Sequence, residues 1–326
     1  MTAYFPPETD DRLLSRTGTG RRGDRVIAFL TTASGVAIIS TVVLVGVFLL
    51  WRAVPSIMSD QVNFMTSREW NVQNPDDLRF GILDLLWTTV LSSIMAMVLA
   101  VPVAVGIALF ITQYAPRRMA QPVAYLVDLL AAVPSIIFGL WGIQVLAPAI
   151  QPFGNWLSST FGWFPLFSPG LTSPGTVFSI GVVLAIMILP IVTAISREVF
   201  AQTPILHKEA ALALGATQWE MVRTAVLPFG RPGVISASML GLGRALGETM
   251  AVVIILSKPA PGSSFDPSIF AGGETFASKI ANNAAEFDTP EKTGAYIAAG
   301  LVLFILTFIV NAIARYVIDR RKEFAE

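Results

Sequence analysis

Apolar residues along this chain gather into six long blocks, approximately Val26–Trp51, Leu85–Thr112, Val123–Ile150, Val177–Ser196, Val234–Ser257 and Tyr296–Ala314. About 20 apolar residues in an α-helix cross roughly 30 Å of hydrocarbon, and a helix satisfies its own backbone groups while doing so. Each block therefore predicts a membrane-spanning helix, and together they predict an all-α, polytopic membrane protein with six transmembrane helices. The second block contains Pro102 and Gly106 and the third Pro134. Such residues break soluble helices but are tolerated where neighbouring helices re-satisfy the backbone, so kinks are expected there.

Composition agrees with this pattern. Hydrophobic residues make up 54% of the chain and charged residues 13%, whereas about a quarter of a soluble domain is charged. A water-soluble chain of 326 residues could not hide that much apolar surface. Net charge is zero, with 22 basic and 22 acidic residues, so bulk affinity for nucleic acid is not indicated, and only the placement of charge is informative. The absence of cysteine removes disulfides, thiolate metal sites and thiol nucleophiles. No repeat of solenoid length is present.

The placement of Lys and Arg gives sidedness, because cytoplasmic flanks of membrane helices are enriched in them. With the N-terminus inside, fifteen fall on the inner side: Arg12, Arg16, Arg21, Arg22 and Arg25 in the leader, Arg117 and Arg118, four between blocks four and five, and four after block six. Six fall outside. Both termini are expected in the cytoplasm, with the chain multi-pass in the membrane. The apolar run after Arg25 is longer than a signal-peptide core and lacks a small-residue cleavage site, which predicts a retained signal anchor. In the outer loop after block three, Trp156, Phe161, Trp163, Phe164 and Phe167 suit an interfacial aromatic belt.

The inner loop between blocks four and five carries dense local signals. It runs from Thr203-Pro204 through Glu209-Ala210-Ala211 and Gly215 to Thr217, Glu220 and Leu227-Pro228. Thr203 is expected to cap a helix with Pro204 at its first position, and Gly215 to end it in a left-handed cap. Thr217 with Glu220 predicts a capping box for a second helix, which Pro228 should terminate. Small alanines beside a tight turn let a short helix sit deep in a partner's groove. Glu209-Ala210-Ala211, Gly215 and Leu227-Pro228 resemble, in wording and spacing, the EAA loop of ABC-importer permeases; Ala225 stands at a usually aliphatic place. The resemblance implies that Glu209, Ala210, Ala211 and Gly215 couple this chain to a cytoplasmic ATPase. The alternative, a purely structural amphipathic loop, does not account for the agreement between helix signals and sidedness.

Block five reads Gly241-Leu242-Gly243-Arg244-Ala245-Leu246-Gly247-Glu248-Thr249. Arg244 lies about 16 Å along the helix from Gly233, near mid-membrane, where an arginine is costly. Glu248 at i+4 is expected on the same face, so that the two neutralise each other when no anion is present. Gly243 and Gly247 form a G-x-x-x-G pair that permits close approach of another helix. The spacing is not that of a nucleotide-binding loop. Arg244 and Glu248 are thus the candidate substrate-pathway residues, against the plainer reading of an ion pair that only holds the helix in place.

This wording resembles the PstC family of phosphate-importer permeases, as does Asp128-Leu129-Leu130-Ala131-Ala132-Val133-Pro134-Ser135 through Gly142 in block three. The similarity extends from about Phe80 to Arg315. It implies the type I ABC importer permease fold and a division into a cytoplasmic segment (1–25), a first transmembrane helix (26–51), an outer loop (52–80), a five-helix permease core (81–317) holding the coupling loop at 203–228, and a cytoplasmic tail (318–326). It further implies import of inorganic phosphate across the bacterial plasma membrane by alternating access, with a PstA-type second permease, a PstB-type ATPase dimer, a PstS-type phosphate-binding protein and membrane lipid as partners, and no nucleic acid. No cofactor is expected on this chain; ATP and Mg belong to the partner ATPase, and the chain itself is expected to be non-catalytic. A permease for molybdate or sulfate and an ion-coupled secondary transporter are the competing readings. Asp128 is expected to be an interfacial carboxylate, His207 a solvated or interface residue, and Arg197 a marker of the membrane boundary of helix four.

Overall fold

The computed structural model describes residues 20–75, 77–168, 173–260 and 262–322. Most of the expected N-terminal segment, residues 1–19, and the end of the tail, residues 323–326, lie outside the described residues. The chain forms two units, residues 1–49 and 50–326. Helix α1 (Gly20–Met58) begins before the predicted Val26, and no side chain of its most apolar window is buried.

Among the described residues, six helices are long and apolar enough to cross a membrane: Gly23–Met58, Leu83–Tyr114, Ser135–Phe161, Val177–Ala201, Gln218–Leu246 and Pro290–Tyr316. The predicted count holds, but two spans differ from their blocks. In block three, Pro134 adopts extended backbone (φ −60°, ψ 141°) and has no N–H to give. The expected kink is therefore a full break between α3 (Arg117–Ala131) and α4 (Ser135–Trp141). The membrane-length helix runs on through α5 (Ala147–Phe161), so Trp156 and Phe161 are helical and not part of a loop. Pro102, by contrast, lies inside α2 (Leu83–Leu109) without interrupting it.

The core of the second unit is built on α6 (Val177–Ala201), whose apolar window is 67% buried, more than that of any other span. Ala96, Ala100, Ala104 and Ala108 recur every fourth residue on α2 and are all buried. Water supplies no hydrophobic drive between helices in lipid, so small residues that let backbones approach carry much of the packing. They admit Val183, Leu184 and Ile188 of α6, which are also buried. On the other side, Gly230 and Gly233 bring α9 (Leu227–Leu246) against Phe200 and Val199 of α6; a Cβ at either glycine would overlap those side chains.

The loops at the β1 end of the long helices are pinned by aromatic and capping contacts. A two-residue hairpin, β1 (Trp70–Asn71) with β2 (Arg79–Phe80), pairs Trp70 with Phe80 and is a small exception to the all-helical prediction. Trp70 also contacts Tyr296 of the last long helix (ring centroids 5.5 Å). Thr275 caps the short helix Phe276–Asn282, and the Phe276 N–H donates to Thr89 Oγ1 of α2 at 3.2 Å.

Candidate functional site

The inner loop folds as an elbow of two helices, α7 (Ile205–Ala213) and α8 (Gln218–Met221). Its turn matches the sequence prediction: Gly215 has φ +86°, Gly215 N–H donates to Leu212 O, and Ala216 N–H reaches back to Ala211 O. This pattern closes the helix end with a left-handed residue, which glycine adopts without steric cost. The capping box is also present: Glu220 N–H donates to Thr217 Oγ1, and Thr217 N–H donates to Glu220 Oε2 at 2.7 Å.

Two details of the expected elbow are corrected. Pro204 itself occupies the N-cap (φ −55°, ψ 135°) and α7 starts one residue later, so Thr203 caps nothing; its buried hydroxyl makes no hydrogen bond among the described residues. Pro228 does not terminate the second helix either. The helix widens to a π turn at Val222–Val226, with Leu227 N–H donating to Val222 O, and then continues as α9. Relaxing the ladder by one residue accommodates the missing proline N–H and its ring.

Ala211 packs on the buried cluster of Phe200, Met221 and Val222, and Gln218 Nε2 donates to Gln113 O at the end of the second span. Those contacts fix the elbow to the core. Glu209 and Ala210 point away from it and are exposed, as are Leu206 (76%) and Leu214 (90%). The elbow is thus seated on the core on one side and exposes Leu206, Glu209 and Leu214 on the other.

Helix five is broken where the candidate pathway residues lie. α9 ends at Leu246, Gly247 takes φ −96° and ψ 3°, and α10 (Met250–Ile255) begins afresh. The predicted i,i+4 pair of Arg244 and Glu248 is thus not made, because that contact needs an unbroken helix between them. Each charge serves a different helix end instead. Arg244 is in the last turn of α9, where exposed carbonyls favour a cation. Glu248 is buried, and its Oε1 accepts the Ala251 N–H at 3.3 Å, placing a carboxylate at the start of α10. Arg244 is exposed and forms neither an ion pair nor a hydrogen bond among the described residues.

Among the described residues, a Cβ at Gly243 would touch nothing within 4 Å, and one at Gly247 would reach only the Gly243 carbonyl oxygen at 3.6 Å. With Phe229, Ser236 and Leu240 they form an uncovered stripe along α9 that ends at Arg244. The break also has a counterpart: Gly139 of α4 abuts Ala251 of α10, so the segments that follow the two broken spans pack on each other.

Sequence reading missed two further sets of charges. Asp128 does not stand alone but pairs with Arg197 at 3.5 Å, joining α3 to the end of α6. A cleft of about 900 Å³ opens among the loops beside β1. In it Arg68 grips Asp84 through two hydrogen bonds of 2.8 and 3.0 Å, and Glu274 holds both Lys258 (3.3 Å) and Lys279 (3.0 Å). The cleft pairs lie five to sixteen residues apart, at spacings that match no regular helix or strand contact, so no local pattern announces them.

The six spans, the seated elbow and the broken fifth helix define a multi-pass transporter subunit that works against other chains. The fold is that of ABC importer permeases: it aligns with TM-score 0.55 and 14% identity to a chain of a bacterial ABC transporter involved in the import of the acidic polysaccharide alginate, over 92% of this chain and 99% of that one. It also aligns with TM-score 0.51 and 16% identity to a chain of the MetNI methionine ABC transporter in an inward-facing conformation, over 73% and 94%. Residues 100–323 match the family described as binding-protein-dependent transport system inner membrane component. The phosphate transport system permease protein PstC 2 of Mycobacterium tuberculosis is 57% identical over 298 residues, 90% of this chain and 91% of that protein. PstC of Xylella fastidiosa strain 9a5c is 39% identical over 99% of both. The chain belongs to the binding-protein-dependent inner membrane components and, among them, to the PstC permease family.

Proposed function

We propose that this chain is one permease half of an ATP-driven importer of inorganic phosphate, alternating its opening while ATP is hydrolysed on a partner. The observation that carries the reading is its 57% identity to a phosphate transport permease over nine-tenths of its length. The exposed EAA elbow supports docking on a PstB-type ATPase dimer. The uncovered stripe of α9, with Gly243 and Gly247, offers a face to a PstA-type second permease across the pathway. A PstS-type binding protein would deliver phosphate from the side of the cleft beside β1. The fifteen-to-six distribution of basic residues supports cytoplasmic termini; reporters fused after Arg25 and near Gly215 should register inside, and those near Ser168 and Asn283 outside. The chain itself needs no bound cofactor for this work.

Arg244 has the role of offering several hydrogen-bond donors and a fixed positive charge to an oxyanion in a poorly hydrated passage. The test is uptake of radiolabelled phosphate in a strain whose own copy is deleted. Arg244→Gln should assemble with its partners, with stability within about 0.5 kcal/mol of the parent, because Arg244 is exposed and makes no ion pair or hydrogen bond among the described residues. Its uptake should fall about ten- to a hundredfold, the worth of charge-assisted hydrogen bonds. Parental uptake by that variant would remove Arg244 from the pathway, and rescue of sulfate or molybdate uptake alone would assign another oxyanion.

A further inference from the structure

Two further arginines on the span of Arg244 also lack a partner among the described residues. Arg223 and Arg231 are exposed, and neither forms an ion pair or a hydrogen bond among the described residues. Both line a groove of about 480 Å³ between α2 and α9, whose other walls include Val105, Leu227, Val234 and Ile235. Thirteen residues separate Arg231 from Arg244, about 220° around an α-helix. The groove therefore faces away from the stripe that ends at Arg244 and is separate from the proposed pathway.

The local backbone explains why two arginines eight residues apart share one groove. An unbroken α-helix would set them about 80° apart. The π turn at Val222–Val226 advances less angle per residue, bringing Arg223 toward the face of Arg231. The groove belongs to a helix of membrane-crossing length and composition, at the end that carries the elbow, so lipid is its natural surrounding. Two unneutralised guanidiniums beside a strip of aliphatic side chains match a negatively charged phosphodiester followed by an acyl chain. We propose that this groove binds an anionic phospholipid, its headgroup phosphate on Arg223 and Arg231 and its chain along Val105, Val234 and Ile235.

Native mass spectrometry of the assembled transporter, exchanged into mixed phosphatidylglycerol and phosphatidylcholine, tests this directly. The parent should retain phosphatidylglycerol in preference. Arg231→Gln should weaken retention about fivefold, and Arg223→Gln with Arg231→Gln about twenty-five-fold, the scale of one basic residue each at an anionic lipid surface. Lysine at both positions should keep most of it. Equal retention of the two lipids, unchanged retention by the double glutamine variant, or displacement of the lipid by inorganic phosphate would overturn the proposal. A photo-reactive residue at position 235 should label lipid; labelling of a protein subunit would assign the groove to a partner chain. The readout is lipid retention, so it stands or falls separately from phosphate uptake.

Discussion

Arg244 and Glu248 show how one backbone break changes the meaning of two side chains. On a continuous helix, exchanging them would preserve an ion pair. Across the break at Gly247, the exchange would set a carboxylate on the carbonyl end of α9 and a guanidinium on the N–H end of α10, unfavourable at both. Failure of that exchange therefore says nothing about phosphate, which is why removal of the Arg244 charge alone is informative. Gly215 is the other residue whose backbone decides its role. Its φ of +86° costs an L-residue about 1–2 kcal/mol, while the space around it is open. Gly215→Val should insert and assemble but lose substrate-stimulated ATP hydrolysis, because the elbow turn is displaced. Gly215→Asn, which tolerates the left-handed region, should retain most of it; a normal ATPase rate in the valine variant would show that the turn is not the coupling element. Gly215 and the Thr217–Glu220 box were legible in the sequence because every partner lies within a few residues. Thr203 was misread for an equally local reason, since Pro204 took the cap position for itself.

At the level of helices, one rule recurs three times. π turns at Phe110–Tyr114, Gly142–Leu146 and Val222–Val226 are each followed by one residue and then a proline, Pro116, Pro148 and Pro228. In every case the residue before the proline donates its N–H five residues back. A proline can thus end a helix, as Pro116 does, or merely widen it, as Pro148 and Pro228 do. That is why hydropathy found all six spans but placed the third and fifth badly: it reports where a segment can reside, not where its hydrogen-bond ladder is interrupted. The glycines of α9 separate two kinds of packing. Gly230→Ala drives a methyl into the Phe200 ring and should destabilise the folded chain by about 1–3 kcal/mol, measured by thermal unfolding. Gly243→Ala meets nothing in this chain; it should leave that midpoint unchanged and reduce co-purification of the second permease. Equal recovery of the partner would show that Gly243 lies outside the interface.

Across the whole molecule, what the sequence withheld is the set of polar pairs that follow no helical or strand period. Asp128 with Arg197 joins two helices far apart in sequence, while Arg68 with Asp84, Lys258 and Lys279 with Glu274, and Glu286 with Tyr296 are closer but depend on how the loops fold. Glu286 accepts from the Tyr296 hydroxyl at 2.7 Å and from the Asn283 amide at 2.8 Å, and these bonds hold its carboxyl below the ordinary value of 4.5. A depressed carboxyl stabilises the folded chain fully above the unfolded value and loses that contribution as pH falls through the folded one. Thermal stability should therefore drop on acidification below about 4.5 more steeply in the parent than in Glu286→Gln; parallel pH profiles would exclude this junction as the source. The first helix is governed by another logic. Because no side chain in its apolar window is buried, selection there acts on solubility in oil and on length, not on the identity or order of individual residues. Within this chain its apolar residues are interchangeable as synonyms are in a language, provided the register of meaning is kept, while those of α6, whose window is 67% buried, can change only in concert with their neighbours.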